Sequence, residues 1–118
     1  MKYLLAFIPN MVLHRVKDVL VGKRIHGLTV SDVRGFGQEH AIEHPEYRDI
    51  PGAELTKKVR LEIICHDEEA DQVLEAIYLA AQTGHPGDGK VFVLPVLDAL
   101  RLKTGERGAA ALGPPFDV

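Results

Sequence analysis

A single cysteine, Cys65, among 118 residues removes two structural options at once. No internal disulfide can form, and no cysteine-rich zinc site can be assembled. Cys65 lies inside the apolar-rich stretch KVRLEIICH, where a buried structural thiol is the expectation. Neither charge dominates: 14 basic residues stand against 17 acidic ones, a net charge of −3. There is therefore no bulk attraction to nucleic acid or to an anionic membrane surface, and any polyanion must be met locally. No apolar run approaches the roughly 20 residues of a membrane span. The opening MKYLLAFIPN has neither the h-region length nor the small-residue cleavage site of a secretory signal. Nucleic-acid binding and membrane insertion are not expected, and the expected compartment is the cytoplasm. The spacing yields no Ser-His-Asp arrangement and no close carboxylate pair, so an enzyme is not expected either.

What remains is enough apolar material for one core. At 46% hydrophobic residues, a chain of this length forms one ordinary domain, 1–118, and is too short for two. YLLAFI at 3–8 is a short apolar run before Pro9, suited to a central strand. Val12, Val16, Val19 and Leu20 make a helical stripe, with Arg15, Lys17 and Asp18 facing away and a stop near Gly22. LTVSDVRGFG from Leu28 is a strand running into a loop. In KVRLEIICH, Val59, Leu61 and Ile63 alternate with Arg60 and Glu62, a strand with one wet face. Asp67 is placed to cap a second helix whose stripe is Ala70, Val73, Ile77 and Ala81, ended by Gly84. VFVLPV at 91–96 is expected to be a buried fourth strand, LDAL at 97–100 one helical turn, and RLKTGERG a final short strand or hairpin end. The order β-α-β, long loop, β-α-β is that of an α+β ferredoxin-like βαββαβ sandwich, an antiparallel sheet with both helices on one face. Side chains such as Phe92 on the uncovered face would leave an apolar patch for which homo-oligomerisation is the usual remedy.

Two features point beyond the fold. Residues 37–57, GQEHAIEHPEYRDIPGAELTK, make a loop of a length uncommon in compact domains. Its charge and prolines fit a mobile arm that orders on a partner, and equally a solvated insertion. The glycine turns RGFG at 34–37 and GHPGDGK at 84–90 each adjoin a strand end, and Lys90, Arg101 and Lys103 follow the second. Glycine-turn amides with such cations make an anion nest, while the same glycines would also serve as a plain cap and turn. Gly84 to Gly89 has the spacing of a P-loop, but Val91 replaces the hydroxyl residue and the next segment is strand-like, so phosphoryl transfer is disfavoured.

The segments GLTVSDVRGFG, TGHPGDGKVFVLPV and RLKTGERG, at these separations, resemble the PII signal-transduction family over nearly the whole chain. The resemblance implies a homotrimer of ferredoxin-like subunits binding adenine nucleotides (ADP, AMP or ATP) in clefts between neighbours. Residues 37–57 would then be the T-loop, 84–90 the B-loop and 101–108 the C-loop, with the T-loop regulating a target transporter or enzyme. The implied nucleotide site is Thr29, Gly35, Phe36 and Gly37 at the base of the arm, Gly87, Asp88, Gly89 and Lys90 in the glycine turn, and Arg101 and Lys103 from the adjacent subunit. Lys58 matches a family lysine that contacts 2-oxoglutarate. Lys103 stands where arginine is commoner, which keeps the charge and gives up the bidentate fork.

Other positions depart from the family. Nitrogen-regulating members usually continue Arg-Gln after GFG, where this chain has Gln38 and Glu39. Losing a cation and gaining an anion disfavours a dicarboxylate and a triphosphate together. Pro51 stands where uridylylated members have tyrosine, and Tyr47 lies outside that motif. The expectation is thus a divergent PII-like sensor of adenine nucleotide, with a small anion such as bicarbonate as second effector and a link to inorganic-carbon regulation. The alternatives are a nitrogen-regulatory PII protein and a metal-responsive trimer using His40 and His44. Those histidines would share a helical face at i, i+4, but Pro45 ends any helix there, and solvated histidines in an acidic loop are the simpler reading.

Overall fold

A computed structural model of the protein describes residues 1–25, 27–36 and 55–115. Strand β1 is Lys2–Ile8, helix α1 Asn10–Gly22, β2 Leu28–Gly35, β3 Thr56–Cys65, helix α2 Ala70–Ala81 and β4 Lys90–Pro95. The four strands form one sheet in the order β2-β3-β1-β4, with each neighbouring pair antiparallel. This is the expected α+β, ferredoxin-like arrangement of four antiparallel strands and two helices.

Strand alternation and helical stripes meet in one core. Leu4, Ala6 and Ile8 of β1 and Val59, Leu61, Ile63 and Cys65 of β3 point to the same face of the sheet, and all are buried. Val12, Val16 and Leu20 of α1 and Val73, Ala76, Ile77 and Ala80 of α2 pack onto them. Each buried Val, Leu or Ile side chain among them contributes roughly 1.5–3 kcal/mol by leaving water. Truncating a central one, as in Leu61→Ala, costs about 2–5 kcal/mol through the lost transfer energy and the cavity left behind. Arg15 joins the helices, its Nε donating to the Ala80 carbonyl at 2.6 Å.

The other face of the sheet is mixed. Tyr3, Leu5 and Phe7 stand opposite Leu94, Phe92 and Lys90, and β3 adds Lys58, Arg60, Glu62 and Ile64. Phe92 is 49% exposed and meets Phe7 edge to face, with ring centroids 6.4 Å apart. The expected buried fourth strand is instead an edge strand: among the described residues β4 pairs only with β1, and Phe92, Val93 and Leu94 are all exposed. An edge position also suits Pro95, which has no N–H for a ladder.

Three local expectations are corrected, while helix α1 stops at Gly22 as expected. Just past it Arg24, at φ 61°, takes the left-handed position, the Ile25 N–H reaches the Leu20 carbonyl at 3.0 Å, and the Arg24 N–H reaches that of Val21 at 2.9 Å. This is a Schellman closure with arginine in glycine's usual place, and buried Ile25 supplies its apolar contact. Asp67 does not cap the second helical segment, because its carboxylate is engaged by the Met1 ammonium at 2.9 Å. Glu69, itself buried, accepts the His66 N–H at 2.9 Å across the 3-10 turn Asp67–Glu69. Helix α2 ends at Ala81 because Gln82 is extended, leaving Gly84 to the following loop. LDAL is not helical: the Asp98 carboxylate accepts from the N–H groups of Ala99 and Gly108 and from Arg107, and Leu100 bridges Arg107.

Burial pushes the Cys65 thiol from 9.0 up to about 11, with nearby Glu69 adding to the effect. A raised thiol pKa favours the neutral folded form. Its stabilising contribution is therefore complete below pH 9 and declines as pH rises toward 11. At pH 8, a thiol reagent should leave the native chain unmodified over the time in which the urea-unfolded chain is fully labelled. Equal labelling rates would place Cys65 outside the core.

Candidate functional site

The loop between α2 and β4 is organised by one carboxylate. Asp88 accepts from the N–H of Thr83 at 2.7 Å, from the N–H of Gly84 at 2.9 Å and from the Thr83 hydroxyl. These bonds, the Thr83 side chain's first, hold the Asp88 carboxyl below its usual range. Asp88 thus shapes the loop with its side chain. Gly84, Gly87 and Gly89 have φ of 82°, 94° and 103°, a region costly for any residue with a Cβ. At Gly89 the backbone also lies against the central strand, and a Cβ there would fall 1.9 Å from the Phe7 carbonyl oxygen. Lys58 ties the loop to β3 by donating to the Gly87 carbonyl at 3.2 Å.

Strand register then brings distant residues together. Gly35 stands opposite Thr56, Val33 opposite Lys58, and Phe7 opposite Lys90. The ends of β1 and β2 and the starts of β3 and β4 thereby surround a cleft of about 720 Å³. Of the residues anticipated from sequence, Gly35, Phe36, Lys58, Gly87, Asp88, Gly89 and Lys90 line it. Phe7, Phe92, Arg34 and His85 also line it and were not anticipated. Alternation along β1 and β4 marks Phe7 and Phe92 as facing one side, but only the register shows that they wall this cleft. Gly37, Gln38, Glu39, His40, His44, Tyr47 and Pro51 lie outside the described residues.

Three anticipated residues are elsewhere. Thr29 is six residues from Gly35 along β2, which at about 3.3 Å per residue puts it roughly 20 Å away rather than at the base of the arm. It lines a separate depression with Ile64, His66, Leu112 and Pro114. Arg101 is at that same end: its Nε donates to the Ala111 carbonyl at 3.2 Å, its guanidinium lies 3.7 Å from Glu106, and His66 reaches the nearby Gly113 carbonyl at 2.8 Å. Lys103 is exposed in the turn of the hairpin that Leu100 and Arg107 close. One end of the subunit thus carries a cleft with glycine amides, two lysines and aromatic walls, fitted to hold an anion with a flat apolar group. The other end carries Thr29, Arg101 and Lys103.

A model of the family described as "Nitrogen regulatory protein P-II" matches residues 1–106. "Nitrogen regulatory protein P-II 1" of Methanothermobacter thermautotrophicus is 43% identical over 113 residues, covering 95% of this chain and 97% of its own length. "Nitrogen regulatory protein P-II" of Nostoc punctiforme is 40% identical over 116 residues, covering 95% of this chain and all of its own length (100%). The crystal structure of Arabidopsis thaliana PII bound to citrate is similar with a TM-score of 0.76 at 36% identity, covering 93% of this chain and 90% of that one.

The two outer glycines of the loop separate strain from crowding. A Cβ at Gly84 meets nothing within 4 Å, so Gly84→Ala should cost only the left-handed strain of about 1–2 kcal/mol. Gly89→Ala adds the overlap with Phe7 and should cost at least about 2 kcal/mol more, the scale of overpacking. Urea unfolding of the two variants checks this, and equal losses would contradict the close approach.

Proposed function

The chain belongs to the nitrogen regulatory protein P-II family, and we propose that it is a non-enzymatic sensor binding ADP, AMP or ATP between copies of itself. Occupancy is passed through segment 37–57 to a target transporter or enzyme. The observation that carries this reading is the division of the anticipated residues between two ends of the subunit. Glycine amides, Lys58 and Lys90 form one end, fitted to phosphates. Thr29, Arg101 and Lys103 form the other and cannot reach the same ligand within one chain. A cyclic homotrimer, whose interfaces are heterologous, brings the cleft end of each copy to the hairpin end of the next. Phe92, Val93 and Leu94, exposed on the edge strand, supply apolar surface for such an assembly.

A second effector is part of the proposal, a small anion such as bicarbonate, in keeping with inorganic-carbon regulation. Nitrogen signalling through 2-oxoglutarate is the competing reading. It is favoured by the names of the relatives, by the citrate in the related plant structure and by the position of Lys58 in the cleft. Against it stand Gln38 and Glu39, an amide and an anion at the sequence positions where nitrogen-regulating members usually have arginine and glutamine, a change that disfavours a dicarboxylate beside ATP.

Calorimetric titration separates these readings. ADP or AMP should bind at least as tightly as ATP, and millimolar 2-oxoglutarate with magnesium should leave ATP affinity unchanged. Lys90→Ala should weaken ADP binding by about 1.5–3 kcal/mol, the range for hydrogen bonds to charged groups. Tighter ATP binding with 2-oxoglutarate would return the protein to nitrogen signalling. Unchanged ADP affinity in Lys90→Ala would mean that the glycine loop is only a turn.

A further inference from the structure

Between α2 and β4 runs a groove of about 540 Å³, lined by Ile8, Leu74, Ile77 and Val91 and edged by the exposed Asp71, Glu75 and Tyr78. Among the described residues neither carboxylate has an ion-pair partner. Gly89 and Lys90 form one wall, so the groove backs onto the loop that shapes the phosphate-fitted cleft. An apolar floor with two unpaired acids calls for an apolar anchor flanked by cations, and it repels an anionic membrane or a nucleic acid.

The chain itself offers such an anchor. In the hairpin that follows β4, Leu102 is 92% exposed and sits between Arg101 and Lys103. The turn is fixed: the Arg101 N–H reaches the Glu106 carbonyl at 2.9 Å, and the Gly105 N–H reaches the Arg101 carbonyl at 2.8 Å. Leu102 is therefore held outward. The hairpin follows the end of β4 away from Lys90, and the groove lies beside Lys90, so a copy's own turn does not fill its own groove.

We propose that Leu102 of one copy seats in the α2–β4 groove of its neighbour, its basic turn attracted by the acidic Asp71–Glu75 rim, which leaves Arg101 and Lys103 beside Gly89 and Lys90 for the nucleotide. This rests on the assembly of copies around a nucleotide cleft argued above, and it names the contact that sets their register. Repeated head to tail, the contact is heterologous, the kind of interface from which a cyclic trimer is built.

The test places Leu102→Cys and Tyr78→Cys in one chain, leaving Cys65 in place because it is fully buried. A disulfide needs Cα atoms within about 7 Å, so only the proposed seating brings these two positions into range. Mild oxidation should give covalent dimers and trimers on a non-reducing gel, and neither single substitution should. Leu102→Asp should raise the protein concentration needed for assembly by about tenfold or more, the scale of a central interface anchor, while Leu102→Met should not. Light scattering and ADP titration of the unsubstituted chain accompany the gel. An oligomer that binds ADP but forms no such disulfide overturns the seating and leaves the nucleotide reading standing. A monomeric mass overturns both. Assembly unaffected by Leu102→Asp likewise overturns the seating.

Discussion

The Phe7 carbonyl leaves no room for a side chain on residue 89, whose Cβ would fall 1.9 Å from its oxygen. That close approach fastens the glycine loop to β1, one of the two central strands, and the rest of the site is set from it. Asp88, the next residue back, gathers the N–H groups of Thr83 and Gly84, and Lys58 holds the Gly87 carbonyl from the neighbouring strand. A loop built in this way presents its backbone to a ligand with little reorganisation, because the sheet beneath it is one wall of the core. Sites carried on packed strands hold their geometry better than sites on free loops.

The same sheet explains why the anticipated residues fall at two ends of the subunit. A strand spaces its residues at about 3.3 Å, so β2 carries Gly35 to one end of the subunit and Thr29 to the other. The sheet is covered by helices on one face only, and its edge strand β4 exposes three consecutive large apolar residues. In the proposed assembly a neighbouring copy meets both the second group of residues and the exposed edge.

Much of this was legible in the sequence. The alternation of Val59, Leu61 and Ile63 and the helical stripes through Val16 and Ile77 identify the core directly, because burial imposes periods of 2 and 3.6. The errors have physical causes. VFVLPV is as apolar as a buried strand, yet β4 lies at the sheet edge with Phe92, Val93 and Leu94 exposed, and composition does not distinguish a central strand from an apolar edge. Asp67 and the LDAL segment were open to wrong assignments because the strongest partners of Asp67 and Asp98, the Met1 ammonium and Arg107, lie further along the chain than any local pattern reaches. Gly84 follows a helix closely enough to suggest a cap, yet its left-handed φ serves the loop. The aromatic walls Phe7 and Phe92 were hidden because cross-strand register is not written in any one segment.

The central claim is that each cleft is built from two copies, and it is tested by co-expressing Lys90→Ala chains with Arg101→Ala chains. Each variant alone breaks every cleft, one from the loop end and one from the hairpin end. In randomly mixed rings, about a quarter of clefts pair an intact loop with an intact hairpin. Calorimetry with ADP should then recover a matching minority of sites with the affinity of the unsubstituted protein. If the mixed assemblies exchange chains but recover no such sites, the cleft does not span two copies and the account fails.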